Sequence, residues 1–110
     1  MADPFVKAVS DYGLDLGNGL YRKILAYDEN LMLVEMHFAK GSAGAAHTHP
    51  HTQISYVQEG VFEYFIEDDR RILGKGDSVV IESGRMHGCS CLEDGVLLDV
   101  FTPMRKDFIQ

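Results

Sequence analysis

The stretch Gly41-Ser42-Ala43-Gly44-Ala45-Ala46-His47-Thr48-His49-Pro50-His51-Thr52-Gln53, followed by a glycine at Gly60, decides how this chain of 110 residues is read. Side chains two apart on an extended chain share a face. His47 and His49 can therefore present both imidazoles to one ion. Gln53 stays on that side if the chain runs on extended past Pro50. His51 has the same parity, but Pro50 disturbs the alternation and leaves it either beside the cluster or facing solvent. His87 lies far away in sequence and begins another apolar run after Gly84. Imidazole is a good ligand for zinc, copper, iron and nickel, whereas an amide oxygen is neutral and weaker. His37 stands alone and is read as an ordinary surface or hydrogen-bonded residue.

Outward from this stretch, short apolar runs alternate with turn residues, the pattern of many short strands. The runs cover 20–27, 31–38, 53–58, 61–67, 70–73, 78–82, 86–92 and 96–102. Glu59-Gly60 reads as a tight turn between the third and fourth runs, and Glu93-Asp94-Gly95 as the break between the last two. Runs at this spacing, rich in β-branched and aromatic residues, indicate an all-β sandwich or barrel. No segment keeps a helical period; residues 104–110 have room for one helical turn. Gly60, Gly76 and Gly84 fall where a turn calls for positive φ.

The length suits one domain with one core. Hydrophobic residues make up 45% and charged residues 25%, ordinary for a globular chain. No apolar run reaches membrane-span length, so a membrane is not an expected partner. Met1 to Asp11 lacks the basic start and apolar stretch of a signal peptide, which makes the cytoplasm the default location. A net charge of −7 argues against nucleic acid as a partner. It leaves room for a small anion at a local cationic site. Cys89 and Cys91 point to one face of a strand. A disulfide between them would be strained, and a thiolate metal pair would need two further ligands. Two reduced, buried thiols are expected.

Two motifs carry a resemblance to the cupin superfamily. The first is a glycine, five residues, His-x-His, three or four residues, a Glu, six residues and a glycine. Gly41, His47, His49, Gln53 and Gly60 stand at those intervals, with Gln53 in place of Glu. The second places Gly76, Glu82, Gly84, His87 and Cys91 at the intervals of Gly, Pro, Gly, His and Asn. Glu82 and Cys91 depart from that pattern at positions that hold no metal in the family. The resemblance implies a single domain over 1–110, a small antiparallel β-barrel of the double-stranded β-helix or jelly-roll kind. Residues 1–13 would be an N-terminal extension or pairing strand, and 103–110 a C-terminal tail. It further implies a homodimer. It makes His47, His49, Gln53 and His87 the ligands of one divalent transition metal ion: zinc, nickel, iron, manganese or copper. Three imidazoles and an amide leave the full double charge on that ion, which favours Lewis-acid work on an acidic substrate.

A second constellation lies on the last strand. Asp99 interrupts the apolar run Val96-Leu97-Leu98-Asp99-Val100-Phe101 and shares a face with Leu97 and Phe101. A buried carboxylate costs several kcal/mol unless it is paired or protonated. Either it pairs structurally with Arg105, or it is a general acid or base while Arg105 clamps a substrate carboxylate and Phe101 forms an apolar wall. Spacing alone leaves the two readings even. The run from Gly95 to Phe108, with 22–27, 47–53 and 87–95, resembles the KdgF-type cupins of pectin degradation, a subfamily with glutamine at the Gln53 position. In that family the residues matching Asp99, Phe101 and Arg105 line the active site. The implied activity converts 4,5-unsaturated uronic acid monomers, from pectin or alginate, to open-chain 5-keto-4-deoxyuronate. Asp99 and Arg105 are then the expected catalytic residues, Phe101 and Arg105 the substrate-binding ones, and a small sugar acid the partner. The rivals are an iron-dependent cupin dioxygenase, a non-catalytic sugar-acid sensor, and a barrel with an incidental metal site; one fold hosts many chemistries.

Overall fold

The computed structural model describes residues 3–109. Met1 and Ala2 of the expected N-terminal segment, and Gln110 of the tail, lie outside the described residues. Eight strands follow one another: β1 (Leu14–Gly17), β2 (Leu20–Tyr27), β3 (Met32–Phe38), β4 (Ala43–His47), β5 (Thr52–Ile66), β6 (Asp69–Gly74), β7 (Ser78–Ile81) and β8 (His87–Thr102). A 3-10 turn over Lys106–Phe108 ends the chain, where the tail was expected to turn once.

All pairings are antiparallel, in the order β1-β2-β3-β8-β5-β6, with β4 on β8 and β7 on β5. The long strands β5 and β8 pair from Thr52↔Thr102 to Ile66↔His87. Each takes one outer neighbour along its first half and another along its second. β8 meets β4 at His47↔His87 and β3 from Phe38↔Gly95 to Met32↔Phe101. β5 meets β7 at Gln53↔Ile81 and β6 at Val61↔Gly74. The sheet thus doubles over into two layers with apolar side chains between them. Val57 and Leu97 from one layer join Phe62, Tyr64, Cys89 and Cys91 from the other in a single core cluster. This is the expected all-β double-stranded β-helix.

Two expected breaks are absent. The Glu59-Gly60 turn and the 93–95 break lie inside β5 and β8, which run straight through them. The reason is a bulge rather than a turn. Inward residues of β5 are Gln53, Ser55 and Val57, then Phe62 and Tyr64, so the parity slips by one. The β5–β8 register shifts at the same place. An extra residue of this kind bends a strand and leaves its pairing intact on either side. Gly60 has φ +86°, and a Cβ there would lie 2.5 Å from the Asp94 carbonyl oxygen and 2.6 Å from Gly95 Cα. The glycine is needed for two backbones to cross, not for a hairpin. Two short strands went unanticipated. β1 is exposed throughout, and β4 is mostly Ala and Gly, residues depleted in strands.

Residues 3–13 form no strand within the chain itself, which is the extension of the two forms expected there. Their side chains are exposed, and Lys23 Nζ donates to the Val9 carbonyl at 3.1 Å. Cys89 and Cys91 are free and buried, as expected. Burial pushes the Cys89 thiol up to about 12. Met104 and Phe108 of the tail pack on a second cluster of Met32, Val34 and Phe101. Among the described residues no helix is long and apolar enough to cross a membrane.

Gly60 and Gly76 separate conformation from space. Both have positive φ, but a Cβ on Gly76 meets nothing within 4 Å. Gly76→Ala is expected to cost about 1–2 kcal/mol for the left-handed backbone alone. Gly60→Ala adds a backbone clash and is expected to cost clearly more, roughly 3–4 kcal/mol. Urea midpoints of the two variants measure the difference.

Candidate active site

Cross-strand pairs build the site. His47 and His87 face each other on β4 and β8. Gln53 and Phe101, then Ser55 and Asp99, face each other on β5 and β8. His49 follows two residues after the end of β4. His47, Gln53, His87, Asp99, Phe101 and Arg105 line one cavity of about 290 Å³.

The three histidines offer ring nitrogens that all lie within 4.8 Å of one another. Each ring is oriented by a local hydrogen bond from Nδ1 to a backbone carbonyl. His47 donates to Ala45 at 2.7 Å, His49 to His51 at 3.0 Å and His87 to Arg85 at 3.0 Å. With the proton on Nδ1, the Nε2 lone pair is left for a ligand. His87 is 1% exposed, and its Nε2 is a buried polar atom with no hydrogen-bond partner. His49 Nε2 faces Gln53 Oε1 at 2.9 Å. That is a lone pair against a carbonyl oxygen, two acceptors that repel unless a cation lies beside both. Burial, helped by the neighbouring His47, His49 and Arg105, holds His87 down at about 4. Burial also lowers His49. His49 and His87 are therefore neutral at neutral pH, the form that ligates metal. An orphaned nitrogen, two facing acceptors and three converging imidazoles fit a divalent transition metal ion held by His47, His49, Gln53 and His87.

Behind these groups lies a buried polar network. Ser55 Oγ donates to Asp99 Oδ1 at 2.6 Å, accepts from Gln53 Nε2 at 3.0 Å and lies 3.0 Å from Tyr64 Oη. Burial raises the Asp99 carboxyl to about 6, against the lowering effect of Ser55, Gln53 and Arg105. Burial and the nearby Asp99 push the Tyr64 phenol well above its usual range.

Of the two readings of Asp99, the structural ion pair with Arg105 is not formed. Arg105 instead forks Asp107 through Nε at 3.1 Å and Nη2 at 2.9 Å. Arg105 still lines the cavity, with its guanidinium 5.0 Å from the Phe101 ring and 4.2 Å from the Phe108 ring. The expected clamp therefore has one edge already occupied. His51 turns out to be a support: its carbonyl orients His49, and its Nε2 donates to the Met104 carbonyl at 3.2 Å. His37 lies outside the site, 2.7 Å from Glu35 and stacked on Tyr12.

Ser55 and Tyr64 were not anticipated. Ser55 left a faint trace, since alternation from Gln53 to Val57 puts a hydroxyl on an inward face. Tyr64 left none, because a tyrosine in a strand reads as core and only the bend of β5 brings it to Ser55. Arg22 was likewise passed over; its guanidinium lies 3.9 Å over the Phe108 ring.

With this geometry established, similarity to known proteins becomes informative. The family described as "Cupin domain" matches residues 34–101. The pectin degradation protein KdgF of Dickeya dadantii (strain 3937) is 47% identical over 97 residues, spanning 86% of this chain and 88% of that protein. The structure of KdgF from Halomonas sp. superposes with a TM-score of 0.89 at 37% identity, covering 98% of this chain and 99% of the other. A crystal structure of an RmlC-like cupin from Shewanella frigidimarina gives 0.92 at 36%, covering 97% and 96%.

Metal should bind one ion per chain and stabilise the fold. At free metal a hundred times the dissociation constant the gain is about 2.7 kcal/mol. Thermal melts with and without metal read it, and His87→Ala is expected to abolish the shift.

Proposed function

The chain belongs to the cupin family, and we propose that it is a metal-dependent isomerase converting 4,5-unsaturated uronic acid monomers to open-chain 5-keto-4-deoxyuronate. The observation that carries this reading is the placement of Asp99, Phe101 and Arg105 in the same cavity as His47, Gln53 and His87. The size of the cavity, about 290 Å³, lies at the small end of ligand sites, which run from roughly 300 to 1,000 Å³. It supports a monosaccharide rather than a polymer. The similarity to proteins named for pectin degradation points the same way.

The substrate is a cyclic hemiacetal whose C4–C5 double bond carries the ring oxygen and the carboxylate on C5. A proton leaves the anomeric hydroxyl, the bond from C1 to the ring oxygen breaks, and C1 becomes an aldehyde. The electron pair passes to the former ring oxygen as an enolate, and a proton added at C4 leaves a ketone at C5. No atom is gained or lost.

Asp99 is the proton carrier. Burial lifts its carboxyl to about 6, closer to the working range of a group that both takes and returns a proton than an exposed carboxylate lies. Oδ1 accepts from Ser55, and Oδ2 is the oxygen assigned to carry the proton. Arg105 holds the substrate carboxylate through its Nη1 edge, Nε and Nη2 being engaged by Asp107. Phe101, buried on the cavity wall, supports the ring. The ion that His47, His49, Gln53 and His87 would hold supplies a Lewis acid for substrate oxygens, undiminished by any anionic ligand.

The test follows the ultraviolet absorbance of the conjugated double bond of an unsaturated galacturonate monomer, beside a spontaneous blank. Loss well above the blank, abolished by EDTA and restored by metal, is expected. Asp99→Asn should lower kcat by about 10²–10⁴ with metal content unchanged. Arg105→Ala should act mainly on KM. A metal-loaded protein no faster than the blank would overturn the substrate assignment.

A further inference from the structure

The Gln53 side chain is an amide, and an amide has two faces of opposite chemistry. Only its oxygen can bind a metal. Turned by half a rotation, its Nε2 would instead donate to His49 Nε2, satisfy that lone pair and take His49 out of the ligand set. What holds the oxygen forward is therefore a separate question from which residues are ligands.

The answer lies in the one proton of Ser55. Its hydroxyl has three neighbours: Asp99 Oδ1 at 2.6 Å, Gln53 Nε2 at 3.0 Å and Tyr64 Oη at 3.0 Å. A hydroxyl donates once and accepts twice. The short contact to the carboxylate takes the proton. Toward Gln53 the serine can then only accept, and it needs an N–H there. Reversing the amide would set Gln53 Oε1 against a serine oxygen with no proton to offer. Ser55 is 1% exposed, so no bulk water relieves that conflict.

We propose that Ser55 is a positioning residue: by giving its proton to Asp99, it locks the Gln53 amide oxygen-forward and so makes Gln53 a metal ligand. The inference rests on Gln53 belonging to the metal site but not on the identity of the substrate. Its consequence is that Asp99 and the metal site share one hydrogen-bond chain. Tyr64 completes the serine's third position but does not set the direction of the lock.

The test measures metal affinity by competition with a chromophoric chelator, using zinc as the probe. Loss of a group that orients a ligand typically costs 10–100-fold in affinity, and Ser55→Ala is expected to lose about that much. A carboxylate presents an oxygen whichever way it turns. The double variant Ser55→Ala with Gln53→Glu should therefore recover wild-type affinity or better. Tyr64→Phe should change affinity little. Unchanged affinity in a folded Ser55→Ala would overturn the proposal, and so would failure of Gln53→Glu to rescue it. Nuclear magnetic resonance of the metal-free wild type gives a check that needs no variant. The Gln53 amide protons should show contacts to Ser55 Hβ; contacts to the His49 ring in their place would also overturn it.

Discussion

Everything in this barrel hangs on the pairing of β5 with β8 and on the point where the two bend together. A straight strand advances about 3.3 Å per residue, so nine residues span about 30 Å. Ser55 and Tyr64 are nine residues apart on one strand, yet their hydroxyl oxygens are 3.0 Å apart. His87 and Asp99, twelve apart on β8, line the same cavity. The bend that folds these distances away sits where Gly60 meets Gly95. A Cβ on Gly95 would fall 2.6 Å from the Glu59 carbonyl oxygen and 2.7 Å from the Phe62 ring. Both strands give up side chains at the crossing, and the two halves of each strand then face one another across a common interior.

That interior is unusual in what it buries. Ser55, His87, Gln53, His49 and Asp99 are all buried, together with the Tyr64 hydroxyl. Such groups cost free energy unless they are hydrogen-bonded. Most are: each Nδ1 has a carbonyl, and Ser55 serves three partners. Among the described residues two buried side-chain atoms have no partner, His51 Nδ1 and His87 Nε2; the second lies with the facing pair of His49 Nε2 and Gln53 Oε1. His87 Nε2 and the two facing acceptors are the arrangement that a positive charge between them would satisfy. The same low-dielectric surroundings explain why Asp99 is raised and His49 and His87 are lowered, since each shift favours the neutral form.

How much of this could be read in the sequence follows from how local each signal is. The His47-x-His49 pair and Gln53 are set by alternation and fixed spacing, and the structure brings them together with His87. The strand edges at Tyr27 and Phe38 were legible because turn residues follow directly. Gly60 was legible as a glycine position but not as a bulge, because positive φ is common to both and only the partner backbone at Asp94 tells them apart. β4 was illegible because Ala43 to Ala46 has no strand preference of its own; the strand exists because β8 lies beside it. Arg105 was placed in the site, but its fork with Asp107, two residues on, was not seen. The buried chain from Gln53 through Ser55 to Asp99 needed both the β5–β8 register and the bend.

The division of labour across the molecule bears on how such a site is specialised. The candidate ligands and Asp99 stand on or beside strands locked into the paired core, positions that any barrel of this kind holds rigidly. The proposed anion-binding residue does not. Arg105 belongs to the tail beyond β8, oriented by Asp107 and by packing against Phe108, whose ring also lies under the Arg22 guanidinium. In a chain of net charge −7, Arg105 lies close enough to add to the effect of burial in lowering the proton affinity of both Arg22 and His87. The two guanidiniums give one end of an acidic protein a cationic character that bulk charge would not suggest. On the proposed reading, a change confined to residues 103–110 would redirect the site to another anion without touching the candidate metal ligands or Asp99. On that reading the barrel fixes the kind of chemistry, and the short segment packed against its mouth fixes what the chemistry is done to.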